Sequence, residues 1–306
     1  MSRIHDALRR AEEKSFANLS AVTQGVETAT HERVVESVLP PEVAAIVAAA
    51  PEGTRVKTSD SVISVTSLQN HPRTVWSPTK EALFLTANSS SSEGLEEFRT
   101  LRSKLFQLRA KRPLNTILVS SAVPGEGKSF VSANLAQAFA RQKGGRTLLI
   151  DGDLRKPQLH EILGAPSSPG LVEYLAGDAS ESEIIQRSAI CDELYFIAAG
   201  KVTETSAELI GTEKAKQLLK NLASPFNWVI IDSSPVGPVS DATRLAEFCN
   251  GVLLVVRAES TSYIEAEHAK RQFHQTDILG VVLNRSPEEL HKAYSYNYNY
   301  RGAHAQ

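Results

Sequence analysis

The stretch from Ala122 to Ser129 reads Ala-Val-Pro-Gly-Glu-Gly-Lys-Ser. It differs by one residue from the phosphate-binding pattern G-x-x-x-x-G-K-[ST], because Ala122 replaces the first glycine. In such a loop, backbone N–H groups surround the phosphates, the lysine reaches the β- and γ-phosphates, and the hydroxyl binds Mg²⁺. Lys128 and Ser129 therefore predict a nucleotide site, and the alternative is a glycine-rich turn. The predicted nucleotide-binding residues are Pro124, Gly125, Glu126, Gly127, Lys128, Ser129 and Phe130.

Two more stretches place acidic residues directly after hydrophobic runs. Asp151 and Asp153 follow the run 148–150, and Asp232 follows the run 229–231. Alone, an aspartate in such a position is commonly a turn or helix-cap residue. The carboxyl ends of neighbouring parallel strands meet at one edge of a sheet, so we expect all three carboxylates at the phosphate loop. Together with Lys128, they predict a site for a nucleotide and Mg²⁺.

Alternating strands and helices must position these groups. After Pro113, short runs of Val, Ile and Leu are separated by amphipathic segments, which indicates an α/β fold. We expect a mostly parallel sheet with helices on both faces. The predicted strands are 116–121, 147–150, 194–198, 228–232, 252–257 and 279–284. The predicted helices are 93–110, 127–142, 207–222 and 263–275.

The composition argues against a nucleic-acid-binding protein, a disulfide-rich protein and a membrane-spanning protein. The 306 residues include 33 Lys and Arg against 35 Asp and Glu, so the net charge of -2 gives no general reason to expect a nucleic-acid partner. The two cysteines, Cys191 and Cys249, are far apart, and we expect neither a disulfide nor a metal site from them. No apolar run approaches the roughly 20 residues of a membrane helix, and no signal-peptide core is visible. We therefore expect a cytosolic protein.

The first 92 residues lack the periodicity of a folded domain. Residues 1–14 predict a short amphipathic helix, which is either frayed or bound to a partner. Residues 15–92 are rich in Ala, Val, Ser, Thr and Glu and predict a flexible linker. The sequence thus predicts a folded domain over 93–290 and a tail over 291–306.

The tail concentrates the tyrosines of the chain, with four of the seven inside it. They are Tyr294, Tyr296, Tyr298 and Tyr300. Their alternation with Ser and Asn leaves a flexible tail and an aromatic edge strand equally open. A stacking platform for nucleic acid is a third interpretation, weakened because Lys292 and Arg301 are the only nearby unambiguous cations.

Together these motifs resemble the bacterial protein tyrosine kinases of exopolysaccharide and capsule synthesis, which have a P-loop ATPase fold. The resemblance covers about residues 93–300 and rests on the stretches 122–129, 150–157 and 231–235. That family tolerates alanine at the first loop position. The chain departs from the family at Ser233-Ser234, where Thr-Pro is common, but the Asp-x-x-Pro spacing is kept.

The resemblance implies a role for each site residue. ATP would supply the phosphoryl group, and Mg²⁺ would lie among Ser129, Asp153 and Asp232. Asp151 would be the base for a tyrosine hydroxyl, so Lys128, Asp151 and Asp153 are the predicted catalytic residues. The tyrosine cluster would be a mobile autophosphorylation substrate, modified in trans.

A further motif lies on the first predicted helix of the domain. Glu96, Arg99 and Arg102 form Glu-x-x-Arg-x-x-Arg, and a spacing of three places them along one side of the helix. Taken alone, this side would be a solvated charged face. The resemblance implies that the motif assembles subunits into a homo-oligomeric ring.

The resemblance also implies partners. A separate membrane-anchored activator of the polysaccharide co-polymerase type would recruit the kinase to the inner face of the plasma membrane, and a tyrosine phosphatase would reverse its modification. The kinase would regulate polymerisation and export of the polysaccharide, and no nucleic acid is expected. The competing hypothesis is a switch ATPase of the partitioning or cell-division-site kind, in which the acceptor is water. Such ATPases usually carry an additional lysine at the position of Val123.

Overall fold

An eight-stranded sheet forms the centre of the domain. The computed structural model describes residues 63–78, 93–237 and 241–287. The strands are β1 Arg73–Thr74, β2 Thr116–Ser121, β3 Thr147–Asp151, β4 Ile185–Ser188, β5 Leu194–Ile197, β6 Trp228–Asp232, β7 Gly251–Arg257 and β8 Ile278–Asn284. Their order across the sheet is β1-β4-β5-β3-β6-β2-β7-β8. Neighbouring strands are parallel except β4 and β5, which are antiparallel. The predicted mostly parallel α/β fold is confirmed.

Helices cover the sheet, and local side chains define several of their ends. The helices are α1 Val65–Gln69, α2 Glu93–Arg109, α3 Lys128–Ala140, α4 Leu159–Leu163, α5 Leu171–Ala176, α6 Glu181–Ile184, α7 Glu213–Ala223, α8 Asp241–Ala246 and α9 Tyr263–Gln272. The Thr212 hydroxyl accepts the Ala215 N–H at the start of α7, and Ser262 with Glu265 forms a capping box on α9. Gly164 ends α4 in the left-handed conformation, at φ 58°.

Two apolar clusters lie on opposite faces of the sheet. Alternate strand residues belong to different clusters, so Leu149 lies in one and Ile150 in the other. The helix α3 is almost completely buried between the sheet and α2, where the Phe139 ring stacks on Trp228 with centroids 4.1 Å apart. This packing gives the segments at the carboxyl edge of the sheet a rigid support.

The three strands that matter for the site are neighbours in the centre of the sheet. The strand β6 lies between β3 and β2, and Asp151 is in register with Asp232. Val119, near the end of β2, is also in register with Asp232. The loop that follows β2 and the acidic ends of β3 and β6 therefore meet at one edge, as predicted.

The structure corrects the predicted linker for residues 63–78, which we call the strap. Helix α1 and strand β1 lie in the strap, and β1 pairs in parallel with β4. Leu68 and Trp76 are buried in the two apolar clusters. The prediction was wrong here because the strap is too short and too rich in polar residues to show periodicity, although two large apolar side chains are enough to anchor it.

Other predicted elements match with small shifts at their ends. The helix predicted over 207–222 is wrong at its start, because Ser206–Gly211 forms a 3₁₀ turn and Thr212 caps a separate helix. The predicted helix over 1–14 and the tail over 291–306 lie outside the described residues. Within the described ranges, no helix has both the length and the apolar character needed to cross a bilayer.

Candidate active site

The predicted phosphate loop joins β2 to α3. Gly125 and Gly127 have φ values of 82° and 90°, which are left-handed conformations that favour glycine. A Cβ on Gly127 would lie 2.1 Å from Nδ2 of Asn284, so a side chain here would displace the amide that binds the Glu126 carbonyl. The loop enters α3 at Lys128, so Lys128 and Ser129 occupy the first turn of the helix. This geometry suits an anion at a helix N-terminus.

Glu126 holds the loop in shape from within. Its carboxylate is buried, with only 1% of the residue exposed. It accepts the Val123 N–H at 2.8 Å, the Arg257 N–H at 3.1 Å and the Thr261 hydroxyl. The Asn284 amide donates to the Glu126 carbonyl at 2.7 Å. The side chain of Glu126 therefore braces the loop against the end of β7, and its backbone carbonyl links the loop to the end of β8. Its role in nucleotide binding stays a prediction.

Lys128 lies among acidic groups. Its ammonium is 3.1 Å from Oδ2 of Asp153, and both side chains are largely buried. Burial lowers the pKa of Lys128, but the negative charges of Asp232, Asp153 and Asp151 outweigh this and the pKa is raised. Lys128 is therefore a fixed cation, held by Asp153 at the position from which it would reach a phosphate.

Asp151 is fully buried at the end of β3. Its Oδ2 accepts the Leu159 N–H at 3.1 Å and its Oδ1 accepts the Asp153 N–H at 3.3 Å. Burial, and then the negative charge of Asp232, raise the pKa of Asp151 to about 8, while the two backbone N–H donors oppose the shift. A carboxylate with a pKa near neutrality is suited to accept a proton in catalysis.

Asp232 lies beside the start of α3. Its Oδ1 accepts the Ser132 hydroxyl at 3.0 Å, while its Oδ2 is buried with no hydrogen-bond partner among the described residues. Burial raises the pKa of Asp232 to about 6, although Lys128 and the Ser129 hydroxyl act in the opposite direction. A buried carboxylate oxygen without a partner requires an explanation.

A magnesium ion fits these donors. Mg²⁺ is commonly bound through one or two carboxylates together with substrate phosphates and water. The buried Asp232 oxygen, the Ser129 hydroxyl and the Asp153 carboxylate supply oxygen donors of the required kind. In the described part of the chain, no group of three His, Cys, Asp or Glu side chains could hold a metal alone. Nucleotide phosphates would therefore complete the ligand set.

The Glu96, Arg99 and Arg102 side chains do not form a uniform exposed row. Arg99 pairs with Glu96 on the exposed side of α2. The Arg102 guanidinium instead donates to the Ala138 carbonyl at 2.9 Å, near the end of α3. Within one chain, Arg102 thus links α2 to the helix that begins at the phosphate loop, and Glu96 with Arg99 forms the exposed part of the motif.

Several site residues escaped the sequence interpretation. These are Ser132, Arg155, Asp241, Thr261 and Asn284. The Arg155 guanidinium binds Asp241 at 2.5 Å and so links the segment after β3 to the start of α8. Two features of the sequence could have indicated some of these residues. Ser132 follows Ser129 by about one helical turn. Thr261 follows one strand and Asn284 ends another, at the same edge of the sheet. Phe130, by contrast, packs edge-on against Phe98 of α2, with centroids 6.1 Å apart.

Comparisons with known proteins show the family of the chain. The profile of the CobQ/CobB/MinD/ParA nucleotide binding domain family matches residues 117–301. A putative tyrosine-protein kinase CapB of Staphylococcus aureus is 32% identical over 205 residues, which cover 66% of this chain and 89% of CapB. The tyrosine-protein kinase YwqD of Bacillus subtilis (strain 168) is 32% identical over 203 residues, which cover 66% of this chain and 85% of YwqD.

The chain belongs to the bacterial tyrosine-protein kinase family of exopolysaccharide and capsule synthesis. Its nucleotide-binding domain is of the P-loop type. The crystal structure of the chimerical protein CapA2B2 superposes with a TM-score of 0.64 at 31% identity, covering 73% of this chain and 98% of that protein. The family resemblance predicted from the motifs is confirmed, and the matched nucleotide-binding domain, residues 117–301, contains the Ala122–Ser129 loop.

Proposed function

We propose that this member of the tyrosine-protein kinase family is an ATP-dependent autokinase that phosphorylates its own C-terminal tyrosines in trans. The observation that carries the proposal is the convergence of Lys128 with Asp151, Asp153 and Asp232 at the phosphate loop. This arrangement offers a cation for phosphate, a candidate base and metal-binding oxygens within one small region. The acceptors would be Tyr294, Tyr296, Tyr298 and Tyr300, which lie outside the described residues.

Each site residue would have a separate role in phosphoryl transfer. The loop N–H groups and Lys128 would bind the β- and γ-phosphates, while Ser129, Asp153 and Asp232 would hold Mg²⁺, which neutralises charge on the phosphate oxygens. Asp151 would take the proton of the tyrosine hydroxyl as the new oxygen–phosphorus bond forms and ADP leaves. Because Asp151 is fully buried here, the acceptor must reach it through an opening of the surrounding loops.

We also propose that the chain works as a homo-oligomeric ring, in which the tail of one subunit enters the site of the next. Glu96 and Arg99 form an exposed charged surface that suits such an interface, and Arg102 links α2 to α3 through its hydrogen bond to the Ala138 carbonyl. Each phosphotyrosine adds about -1.5 to -2 charge, so a fully modified tail would gain about -6 to -8 and be repelled by the site aspartates. Phosphorylation would therefore favour monomers.

The family membership supports a set of partners. We propose a separate membrane-anchored activator of the co-polymerase type, which recruits the kinase to the inner face of the plasma membrane, and a tyrosine phosphatase that resets it. Through this cycle the kinase would regulate polysaccharide polymerisation and export. We propose no nucleic-acid partner, in keeping with the net charge of -2.

Phosphosite mass spectrometry tests the activity. After incubation of the purified protein with ATP and Mg²⁺, we expect phosphate on the tail tyrosines of the parent and none on Lys128→Met, with a cooperative thermal unfolding transition for both. Phosphate released only to water, with every tyrosine unmodified even when the membrane partner is supplied, would instead indicate the switch ATPase.

Mixing and light scattering test the assembly. A Lys128→Met subunit mixed with an active subunit that lacks residues 294–300 should become phosphorylated on its tail. A blank result from a mixture shown to co-assemble would mean that each chain modifies only itself. Arg99→Ala combined with Arg102→Ala should prevent the ring and slow tail phosphorylation. Equal masses for the unmodified and fully modified protein at all concentrations would rule out control of the ring by phosphate.

A further inference from the structure

The strap, residues 63–78, lies outside the domain predicted from the sequence but is built into it. The Tyr195 hydroxyl donates to the Leu68 carbonyl at 3.1 Å, and the Ala189 N–H donates to the Thr74 carbonyl at 3.0 Å. Nε2 of His71 lies 2.5 Å from the Ile185 carbonyl. These bonds fix the strap along the sheet edge formed by β4.

The last residues of the strap leave the sheet edge and hold α4. The Ser77 N–H donates to the Gly164 carbonyl at 3.1 Å. The approach is close, because a Cβ on Gly164 would lie 2.2 Å from the Ser77 carbonyl oxygen. Trp76 meets Phe196 edge-on at 6.0 Å and lies in the same apolar cluster as Leu159 and Leu163. The end of α4 is thus held by the strap.

The other end of α4 reaches the candidate base. The Leu159 N–H donates to Oδ2 of Asp151 at 3.1 Å. The helix α4 has only five residues, from Leu159 to Leu163, so it is little more than one turn. Such a short helix has little stability of its own and depends on its neighbours for its position. A shift of the strap at Gly164 would therefore move Leu159, and with it the N–H that binds the Asp151 carboxylate.

We propose that the strap is a positioning device for Asp151, acting through α4, and that Trp76 and Ser77 are its positioning residues. The proposal rests on the proposed kinase activity, in which Asp151 is the base. Neither Trp76 nor Ser77 belongs to the nucleotide loop, so the strap should influence phosphoryl transfer much more than nucleotide binding. The strap would then be a required part of the catalytic unit, although it precedes the phosphate loop by more than forty residues.

Substitutions at Ser77 offer a matched pair. Ser77→Pro removes the N–H that Gly164 accepts, whereas Ser77→Ala keeps it, and the Ser77 side chain is exposed. In the full chain, we expect Ser77→Pro to lower kcat for tail phosphorylation about 3- to 10-fold, with the KM for ATP within twofold of the parent. Ser77→Ala should match the parent in both. Equal kcat in the two variants, or a loss confined to KM, would overturn the proposal.

Trp76 offers a test by conservative rescue. Its Nε1 has no partner among the described residues, so Trp76→Phe keeps an aromatic ring without losing a hydrogen bond. We expect Trp76→Ala to lower kcat more than 10-fold and Trp76→Phe to restore most of it. Val75→Ala, at a position that is 76% exposed, is the control and should leave kcat unchanged. Equal loss in the Ala and Phe variants would contradict a positioning role for the ring.

Hydrogen exchange gives a readout that needs no activity. In Ser77→Pro the Leu159 amide should exchange at least about 10-fold faster than in Ser77→Ala, while amides of β2 stay protected in both. Unchanged protection of Leu159 would overturn the proposal, even if kcat fell. A parent protein that modifies no tyrosine would refute the proposed function instead, and faster exchange at Leu159 would still establish the link from strap to aspartate.

Discussion

Replacing Asp151 by asparagine should stabilise the nucleotide-free protein while it slows catalysis. Burial and the charge of Asp232 raise the pKa of Asp151 from 3.8 to about 8. In the folded protein this carboxyl therefore keeps its proton up to about pH 8, whereas in the unfolded chain it loses the proton near pH 4. Since the folded state binds more protons between these values, the contribution of Asp151 to stability falls as pH rises through this window.

The size of the effect follows from the shift. One pKa unit corresponds to about 1.4 kcal/mol, so between pH 5 and pH 8 the parent should lose about 3 kcal/mol of stability through Asp151. Asp151→Asn has no such proton to lose and retains a carbonyl oxygen for the Leu159 N–H. The free energy of unfolding of the variant, relative to that of the parent, should therefore rise by about 3 kcal/mol between pH 5 and pH 8.

Urea unfolding at both pH values, without nucleotide or Mg²⁺, measures this difference. Asp178→Asn is the control, since Asp178 lies on an exposed turn. The same Asp151→Asn protein should transfer phosphate to tyrosine about 10²–10⁴-fold more slowly, with nucleotide affinity little changed. A variant no more stable than the parent at pH 8, or a difference independent of pH, would refute the reasoning about burial.

Three further predictions concern the phosphate loop and Asp232. Gly127→Ala should abolish nucleotide binding in a fluorescence titration, because its Cβ would collide with Asn284 at a φ of 90°; parental affinity would show that the loop can relax. Thr261→Val leaves the buried Glu126 with one donor fewer and should lower the free energy of unfolding by about 1–3 kcal/mol, whereas Thr261→Ser should not. Ser132→Ala should raise the pKa of Asp232 further, detectable by NMR titration of its carboxyl carbon, and an unchanged value would exclude this hydrogen bond as a cause.

The central sheet and the site loops were predictable because their signals are local. Strands β2 and β6 are fully buried and each contains a run of consecutive apolar residues, and their predicted bounds, 116–121 and 228–232, match the structure. The triplet Gly127-Lys128-Ser129 can be recognised from adjacent residues alone. Asp151 and Asp232 end strands whose parallel arrangement is predicted by the alternation of strands with helices. The signals for these features are local in the sequence, so sequence patterns are enough to infer them.

What escaped prediction depends on contacts between distant residues. The strap lacks periodicity, and its position is set by bonds such as that of Tyr195 to Leu68, 127 residues apart. The strand β4, antiparallel to β5, has only four residues, of which Gln186, Arg187 and Ser188 are polar, so it has no clear strand pattern. Likewise, no sequence pattern indicates that the Glu126 carboxylate accepts a hydrogen bond from the Thr261 hydroxyl, 135 residues away. Register and tertiary hydrogen bonds of this kind are properties of the folded state.

The brace formed by Glu126 has a consequence for the thermodynamics of ligand binding. The loop is already pinned to β7 through Arg257 and Thr261 and to β8 through Asn284, so a nucleotide would find its binding surface largely preorganised. The loop would then lose little conformational entropy when the nucleotide binds, because it is already ordered. Weakening the brace should consequently appear as a more unfavourable binding entropy in calorimetry, with the ligand's own hydrogen bonds and their enthalpy largely retained.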